Sequence, residues 1–282
     1  MPIREAERTN LNSGVSIDPY DYVGEGTFRT VCAGTFSGGS RNNQAAVCKK
    51  FKLRFSHLED EFFRYDKKTT DKAIDLANEW NMVCPDGREI LINQGDQFDE
   101  NGETFLVEPF IRDYTKFTSN SGTIIPNGYG LEAMEAFSHF CYHKSGGSLI
   151  VCDLQGRYKS MSTRYNKRTG EREQRSRYEL TDLAICSRSR SYGPTDLGEK
   201  GIENFFVNHV CNEFCHVGSN RKWARPRDPT RWFDHSTGTS MLSSSYDSSL
   251  AVANPARFVL GLDGIMEADY DSDGQMSEDS YW

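Results

Sequence analysis

No stretch of the 282 residues is apolar for long enough to cross a bilayer, and the opening MPIREAERTN holds no signal-peptide core. A soluble, cytoplasmic protein with no membrane partner is therefore expected. The chain has no internal repeat. It also lacks the dense cysteine spacing of a small secreted domain: its eight cysteines (32, 48, 84, 141, 152, 186, 211 and 215) are spread over the whole length, which excludes a disulfide framework. Lys and Arg are absent after Arg257, where seven acids stand (Asp263, Glu267, Asp269, Asp271, Asp273, Glu278 and Asp279). The net charge of −8 thus belongs to this tail. The rest of the chain is near −1, and its partners cannot be read from net charge. Aromatics reach 12%, so the chain can build a core despite a mean hydropathy of −0.67.

Residues 1–19 are polar and carry no periodicity, which predicts an extended arm. From Tyr20 the runs DYVGEGTFRTVCAGTF and AAVCKKFKLRF read as strands around the turn SGGSRNNQ. His57–Glu61 reads as helical text, and residues 71–81 place Ala73, Ile74, Ala77 and Trp80 on one helical stripe. EILINQ and TFLVEPFI read as strands. LEAMEAFSHFCYHK and GIENFFVNHVC read as helices, and SLIVCDL as a short buried strand. Residues 157–177 hold eight Lys/Arg against two Glu and read as an exposed basic loop. The result is a β-rich N-terminal half followed by a mixed α/β half, and a cleft between two such lobes is a common place for a nucleotide.

Three patterns carry chemistry. Gly24 and Gly26 frame a turn ahead of Arg29. Without Cβ atoms the backbone can approach phosphate oxygens, and the guanidinium can add a fork, although an ordinary hairpin turn would look the same. Lys49 and Lys50 end the next strand and must point to opposite faces, so one can enter a cleft while the other meets water. Asp153 follows the buried strand VC and leads into Leu154-Gln155-Gly156, and Asp182 is a second acid beyond the basic run. An acid at such a strand end is a candidate for catalysis, or else a turn residue.

His209, Cys211 and Cys215 are grouped at the end of the last predicted helix. Imidazole and thiolate suit zinc. A closed tetrahedron needs a fourth ligand, with His139 the first candidate and His143, one turn on, the second.

Taken together and in order, GEGTFRTV, AVCKKF, ANEWN, FLVEPFI with TKFTSN, AFSHFCYHKSGGSLIVCDLQG, LTD, YGPTDLGEKGIENFF and HVCNEFC resemble the alpha-kinases, over roughly residues 20–218. The resemblance implies an α+β, two-lobed kinase-like fold: a β-rich N-lobe at about 20–110, a mixed α/β C-lobe at about 111–218 with a structural zinc, and an extension at 219–282 ending in the acidic tail. It implies transfer of the γ-phosphoryl of ATP, with Mg²⁺, to a Thr or Ser hydroxyl of a protein substrate. Residue by residue, Lys49 matches the phosphate-holding lysine, and Gly24, Gly26 and Arg29 the covering loop. Glu108 matches the hinge that meets adenine through backbone groups. Lys116 and Asn120 match a nucleotide-binding segment in which Phe117 stands where the family has Tyr. Asp153 and Gln155 match the catalytic motif, and Asp182 the second active-site acid, with Gln155 and Asp182 as metal candidates. Gly193, Gly198 and Gly201 match the loop near the peptide substrate. His139, His209, Cys211 and Cys215 match the zinc ligands.

Two departures are visible. The acidic partner of Lys49 is not fixed by sequence, with Asp66, Glu61 and Glu79 as candidates, and the basic run at 157–177 is long for the family. The alternative to an active kinase is a catalytically silent, nucleotide- or protein-binding module. The joint presence of Lys49, Asp153, Gln155 and Asp182 speaks against it. A zinc hydrolase is disfavoured because four protein ligands leave no open position for water. Nucleic-acid binding would rest on the basic run alone.

Overall fold

The computed structural model describes residues 14–25, 29–84, 88–100, 102–126, 130–165, 170, 172–216 and 222–241. Gly26, residues 1–13 of the expected arm and the acidic tail lie outside these. The remainder of the arm is not an arm. Residues 14–19 open strand β1 (Gly14–Glu25), which pairs with β2 (Arg29–Ser37).

A five-stranded sheet runs β1-β2-β3-β6-β5, with β3 at Ala45–Phe51, β5 at Asp96–Glu100 and β6 at Glu103–Pro109. Strand alternation sorts β3. Ala46 and Cys48 join Phe36, Phe105 and Val107 in a small apolar cluster on one face. Val47, Lys49 and Phe51 take the other, and Phe51 packs there with Phe55, Leu58 and Phe62. Lys50, on the outer face, pairs with Glu103.

Helix α1 (Glu59–Val83) begins a dozen residues before the stripe predicted at 71–81. Three acids, Glu59, Asp60 and Glu61, occupy its first turn, where the helix dipole favours negative charge. Its apolar stripe continues back through Phe62 and Phe63. At its other end, Asn81 binds both the N–H and the C=O of Ile90, at 2.8 Å each, and ties the helix to β4 (Arg88–Ile92).

Strand β4 is not part of the N-lobe sheet. It lies at the edge of a second sheet, β4-β10-β9-β7, with β7 at Thr115–Lys116, β9 at Gln155–Tyr165 and β10 at Arg172–Leu180. A lobe boundary at 110 therefore cuts across the spatial division. The basic run expected as a loop is the β9–β10 hairpin. Several of its cations are answered across strands. Arg157 pairs with Glu179, its register partner, and Arg177 pairs with Glu89 on β4 at 2.8 Å. Tyr178 and Leu180 turn inward to the main core.

That core gathers Trp80 of α1, Phe137 and Phe140 of α2 (Leu131–Lys144), Val151 of β8 (Leu149–Cys152), and Trp223. Trp223 belongs to the extension after residue 218, so the extension begins as part of the C-lobe. A smaller cluster packs Ile202, Phe205 and Phe206 of α3 (Glu199–Asn208) on Ile150, Cys152 and Cys186, the last from β11 (Ala184–Ser187).

Candidate active site and metal-ligand cluster

Strands β8 and β11 form a two-stranded antiparallel pair with Cys152 opposite Ala184. Asp153 follows the end of one and Asp182 precedes the start of the other, so the pairing alone sets the two acids side by side. Both hold a left-handed backbone, at φ 56° and 50°. That conformation is uncommon for a residue with a Cβ and marks a position fixed by its surroundings. Gln155 bridges them: its amide donates to the Asp182 carbonyl at 2.8 Å and lies 3.4 Å from Asp153 Oδ2. Lys116 stands opposite Gln155 in the β7–β9 register and ion-pairs with Asp153 Oδ1 at 3.1 Å.

From the other lobe, Lys49 reaches Asp182 Oδ1 at 2.5 Å and Glu108 Oε2 at 3.2 Å. Glu108 also accepts a hydrogen bond from Thr181 Oγ1. None of the three acids weighed as the partner of Lys49 fills that place. Asp66 pairs with Arg29 at 2.7 Å, Glu79 with Lys144, and Glu61 accepts from Tyr65. The partner is Glu108, expected only to offer its backbone, and its side chain is buried against the lysine.

These charges shape one another. Burial alone would discharge Lys49, but Asp182 and Glu108 outweigh it and raise its pKa. Burial would raise Asp182, yet Lys49 and then Arg29 and Lys116 pull its carboxyl below the usual range. Glu108 and Asp153 end above theirs, because burial exceeds the help of Lys49 and Lys116 respectively.

Lys49, Glu108, Asp153 and Asp182 line one cavity between the lobes together with Arg29, Val31, Thr69, Leu106 and Tyr192. Arg29 stacks over Phe51 at 4.5 Å, and its buried Nε has no hydrogen-bond partner among the described residues. A polyanion entering the cavity would meet Lys49 and Arg29, and a purine would find apolar walls at Val31 and Leu106. Gly24 lies in β1 with open space where a Cβ would stand. Asn120 does not line the cavity. Its amide is spent on Thr195 O (2.8 Å) and Ser240 O (2.6 Å), and its oxygen on Ser240 N (2.8 Å). Gly193 and Gly198 have φ 87° and 70° in the loop before α3, where a Cβ at Gly193 would come within 2.7 Å of the Tyr65 ring. Gly201 is not a loop residue. It lies inside α3, close against Cys186 Sγ.

His139, His209, Cys211 and Cys215 converge, with ligand atoms all within 4.8 Å of one another. The edges are 3.3 Å from His209 Nε2 to His139 Nδ1, 3.7 Å from Cys211 Sγ to His139 Nδ1 and 3.5 Å from Cys215 Sγ to His209 Nε2. Zinc bonds of about 2.0–2.1 Å to nitrogen and 2.3 Å to sulfur require tetrahedral edges of about 3.3 Å N–N and 3.6 Å N–S, so the donor set fits that ion. The outer ring nitrogens are held by Glu135 Oε2 and Ala224 O, at 3.0 Å each, which fixes which nitrogen faces inward. His143 is not a ligand: its Nδ1 accepts from Ala224 N.

A family model described as the alpha-kinase family matches residues 24–215. The chain belongs to the alpha-kinase family. Among curated relatives, alpha-protein kinase 1 of Dictyostelium discoideum is 33% identical over 155 residues, covering 54% of this chain and 9% of that protein. Human transient receptor potential cation channel subfamily M member 7 is 35% identical over 122 residues (40% and 6%), and mouse eukaryotic elongation factor 2 kinase 33% over 113 (39% and 13%). The chain thus spans a small fraction of the length of these relatives. The fold matches the alpha-kinase domain of myosin-II heavy chain kinase A in complex with AMP-PNP, with a TM-score of 0.56 at 21% identity over 72% of this chain and 85% of that one. The fold is therefore the α+β alpha-kinase fold. Among the described residues no helix is long and apolar enough to cross a membrane.

Two features of the candidate site escaped the sequence. The Glu108 carboxylate had no pattern to announce it. Thr239, which lines the same cavity and hydrogen-bonds to Asp153, lies in polar text beyond the family match.

Proposed function

We propose that the chain is an ATP-dependent protein serine/threonine kinase that moves the γ-phosphoryl of ATP to a threonine or serine hydroxyl of a protein. The carrying observation is that two acids line one cavity with separate cationic partners: Asp182 paired with Lys49, which lines it too, and Asp153 paired with Lys116. Phosphoryl transfer asks a protein mainly for positioning and charge neutralisation.

Lys49 and Arg29 neutralise the α/β-phosphates, Gly24 lies in the covering hairpin, and the adenine edge meets the backbone at Glu108. Glu108 and Thr181 hold Lys49 in place from behind. Asp182 and Gln155 would hold Mg²⁺, a cation that takes oxygen ligands and supplies neutralisation of the phosphate charge. Asp153 accepts the proton of the acceptor hydroxyl, and Lys116 orients its carboxylate. Gly193 and Gly198 shape the loop near the peptide. The His139–His209–Cys211–Cys215 cluster would hold a structural zinc that joins α2, the end of α3 and the following turn; with four protein ligands it has no catalytic position.

The test is incubation with γ-labelled ATP, Mg²⁺ and a basic threonine peptide. Label on the peptide from the wild-type chain and none from Asp153→Ala supports the reading. Equal labelling by both proteins, or by neither, contradicts it.

A further inference from the structure

We propose that Lys68 is a positioning residue for the peptide substrate: from helix α1 of the N-lobe it ties down the loop between β11 and α3, which walls the cavity beside Asp153. The inference rests on the kinase reading above and adds to it a residue that fixes one lobe to the other over the acceptor.

The loop is stiff on its own side. Asp196, fully buried, accepts from Ser187 N at 2.7 Å, Ser187 Oγ at 2.6 Å, Gly198 N at 3.0 Å and Tyr192 N at 3.2 Å. Hydrogen bonds to a carboxylate are the strong kind, and these close the loop on itself. Asp196 N returns to Gly193 O at 3.0 Å, and Asn120 holds Thr195 O at 2.8 Å. Between these fixings Tyr192, Pro194 and Thr195 line the cavity that Asp153 lines.

Helix α1 faces the loop across that cavity. Phe62, Tyr65, Asp66 and Thr69, at helical spacing, present one side to it. Lys68 follows Tyr65 by three residues, on the same side of the helix. Its Nζ donates to Ser191 O at 2.7 Å and lies 4.7 Å from the centre of the Tyr192 ring. The Tyr65 ring packs so close to Gly193 that a Cβ there would come within 2.7 Å of it. Two neighbouring side chains of α1 thus touch three consecutive loop residues.

The helix itself does not explain this lysine. Arg64 and Lys72 stand four residues to either side, a spacing at which like charges are unfavourable, and Asp71 pairs with Lys67 at 2.8 Å. The ammonium instead meets a carbonyl and an aromatic face, and both favour a cation. Tyr65 and Lys68 also flank Asp66, which holds Arg29 at 2.7 Å. One turn of helix therefore sets both the guanidinium that meets phosphate and the loop beside the acceptor. Without the tie the loop keeps its Asp196 bonds and loses its fixed distance from the N-lobe. A bound peptide then has to order it, which weakens peptide binding and leaves the chemical step alone.

The experiment compares wild type, Lys68→Met, Lys68→Arg and the neighbour control Lys67→Met. It measures labelling of a threonine peptide by γ-labelled ATP with Mg²⁺, titration with MgATP, and hydrogen exchange of the Tyr192 amide in nucleotide-free protein. In Lys68→Met the peptide KM should rise about tenfold, the effect of losing one charge-assisted hydrogen bond and one cation–π contact, with kcat within about twofold and MgATP affinity within about threefold. Lys68→Arg should return KM to within about threefold of wild type, because a guanidinium also donates to a carbonyl and stacks on a ring. Lys67→Met should behave as wild type, since its ion pair is exposed. The Tyr192 amide should exchange at least about fivefold faster in Lys68→Met. An unchanged KM, a rise shared by Lys67→Met, a loss confined to kcat, no rescue by arginine, a loss of MgATP affinity, or unchanged exchange at Tyr192 overturns the inference and leaves the kinase reading standing. A wild-type chain that does not label the peptide overturns both.

Discussion

Lys49 Nζ lies 2.5 Å from Asp182 Oδ1, an ion pair between residues 133 positions apart that joins strand β3 of one lobe to the turn before β11 of the other. Glu108 completes it from β6. The lysine is buried, and the two acids hold its pKa above the ordinary value against the cost of burial.

Removing Lys49 should therefore harm the fold as well as the reaction. Breaking a buried pair by taking one partner away costs about 3–5 kcal/mol. Lys49→Met is expected to abolish transfer and to lower the melting temperature, and Glu108→Gln to lower transfer with a smaller loss of stability. Thermal unfolding of the three proteins checks this. A Lys49→Met protein as stable as wild type would mean that the acids are not held by that charge.

The acid limb of the pH–rate profile should belong to Asp153. Its base form must be deprotonated, and burial has raised its pKa above that of an ordinary aspartate. Activity should fall, as pH is lowered, at a higher pH than a solvent-exposed aspartate would give. Lys116 opposes the shift, so Lys116→Met should move the limb to still higher pH. Profiles of kcat/KM for the two proteins test the sign, and a limb that moves to lower pH in Lys116→Met refutes it.

Metal should be folding free energy for the C-lobe. Structural zinc contributes about 10–16 kcal/mol in small peptides that bind it. One zinc per chain is expected by elemental analysis, with insoluble or molten protein for Cys215→Ser. Glu135→Gln, which weakens the hold on His209 Nδ1, should reduce metal affinity about 10–100-fold while the fold remains when zinc is saturating. A well-folded, zinc-free preparation would end this part of the account.

Gly193→Ala should slow peptide transfer and destabilise the chain by about 1–3 kcal/mol, since the residue has φ 87° and its Cβ would meet the Tyr65 ring. Gly24→Ala, with open space at that position, should change stability by less than about 1 kcal/mol. Chemical denaturation of both variants measures the contrast, and equal destabilisation would contradict it.

The residues that short motifs single out are ones the structure brings together in the candidate site. Lys49, Asp153, Gln155 and Asp182 stand at strand ends whose alternation or flanking residues show in the text, and the four His/Cys ligands lie at helical and turn spacings. What escaped depends on partners far away in the chain. Glu108 reads as one more residue of an apolar strand until Lys49, 59 positions earlier, is brought against it. The hairpin of β9 and β10 reads as a charged loop because Glu179 and Glu89, which answer Arg157 and Arg177, arrive only through strand pairing. Residues 64–70 of α1 are too polar to carry the stripe at 71–81 back to Phe62, which packs with Phe51 and Phe55. Asn120, which the resemblance matches to the nucleotide, holds Ser240, a contact that no local pattern could show.

The most direct test of the division of labour places Asp153 on the acceptor side and Lys49 with Asp182 on the nucleotide side. Titration of Asp153→Asn with MgATP, beside its turnover on a threonine peptide, separates them. The account predicts nucleotide affinity within a few-fold of wild type and turnover reduced at least about 10²-fold, the low end of what a positioned general base contributes. Loss of nucleotide binding together with turnover, or turnover retained, would contradict it.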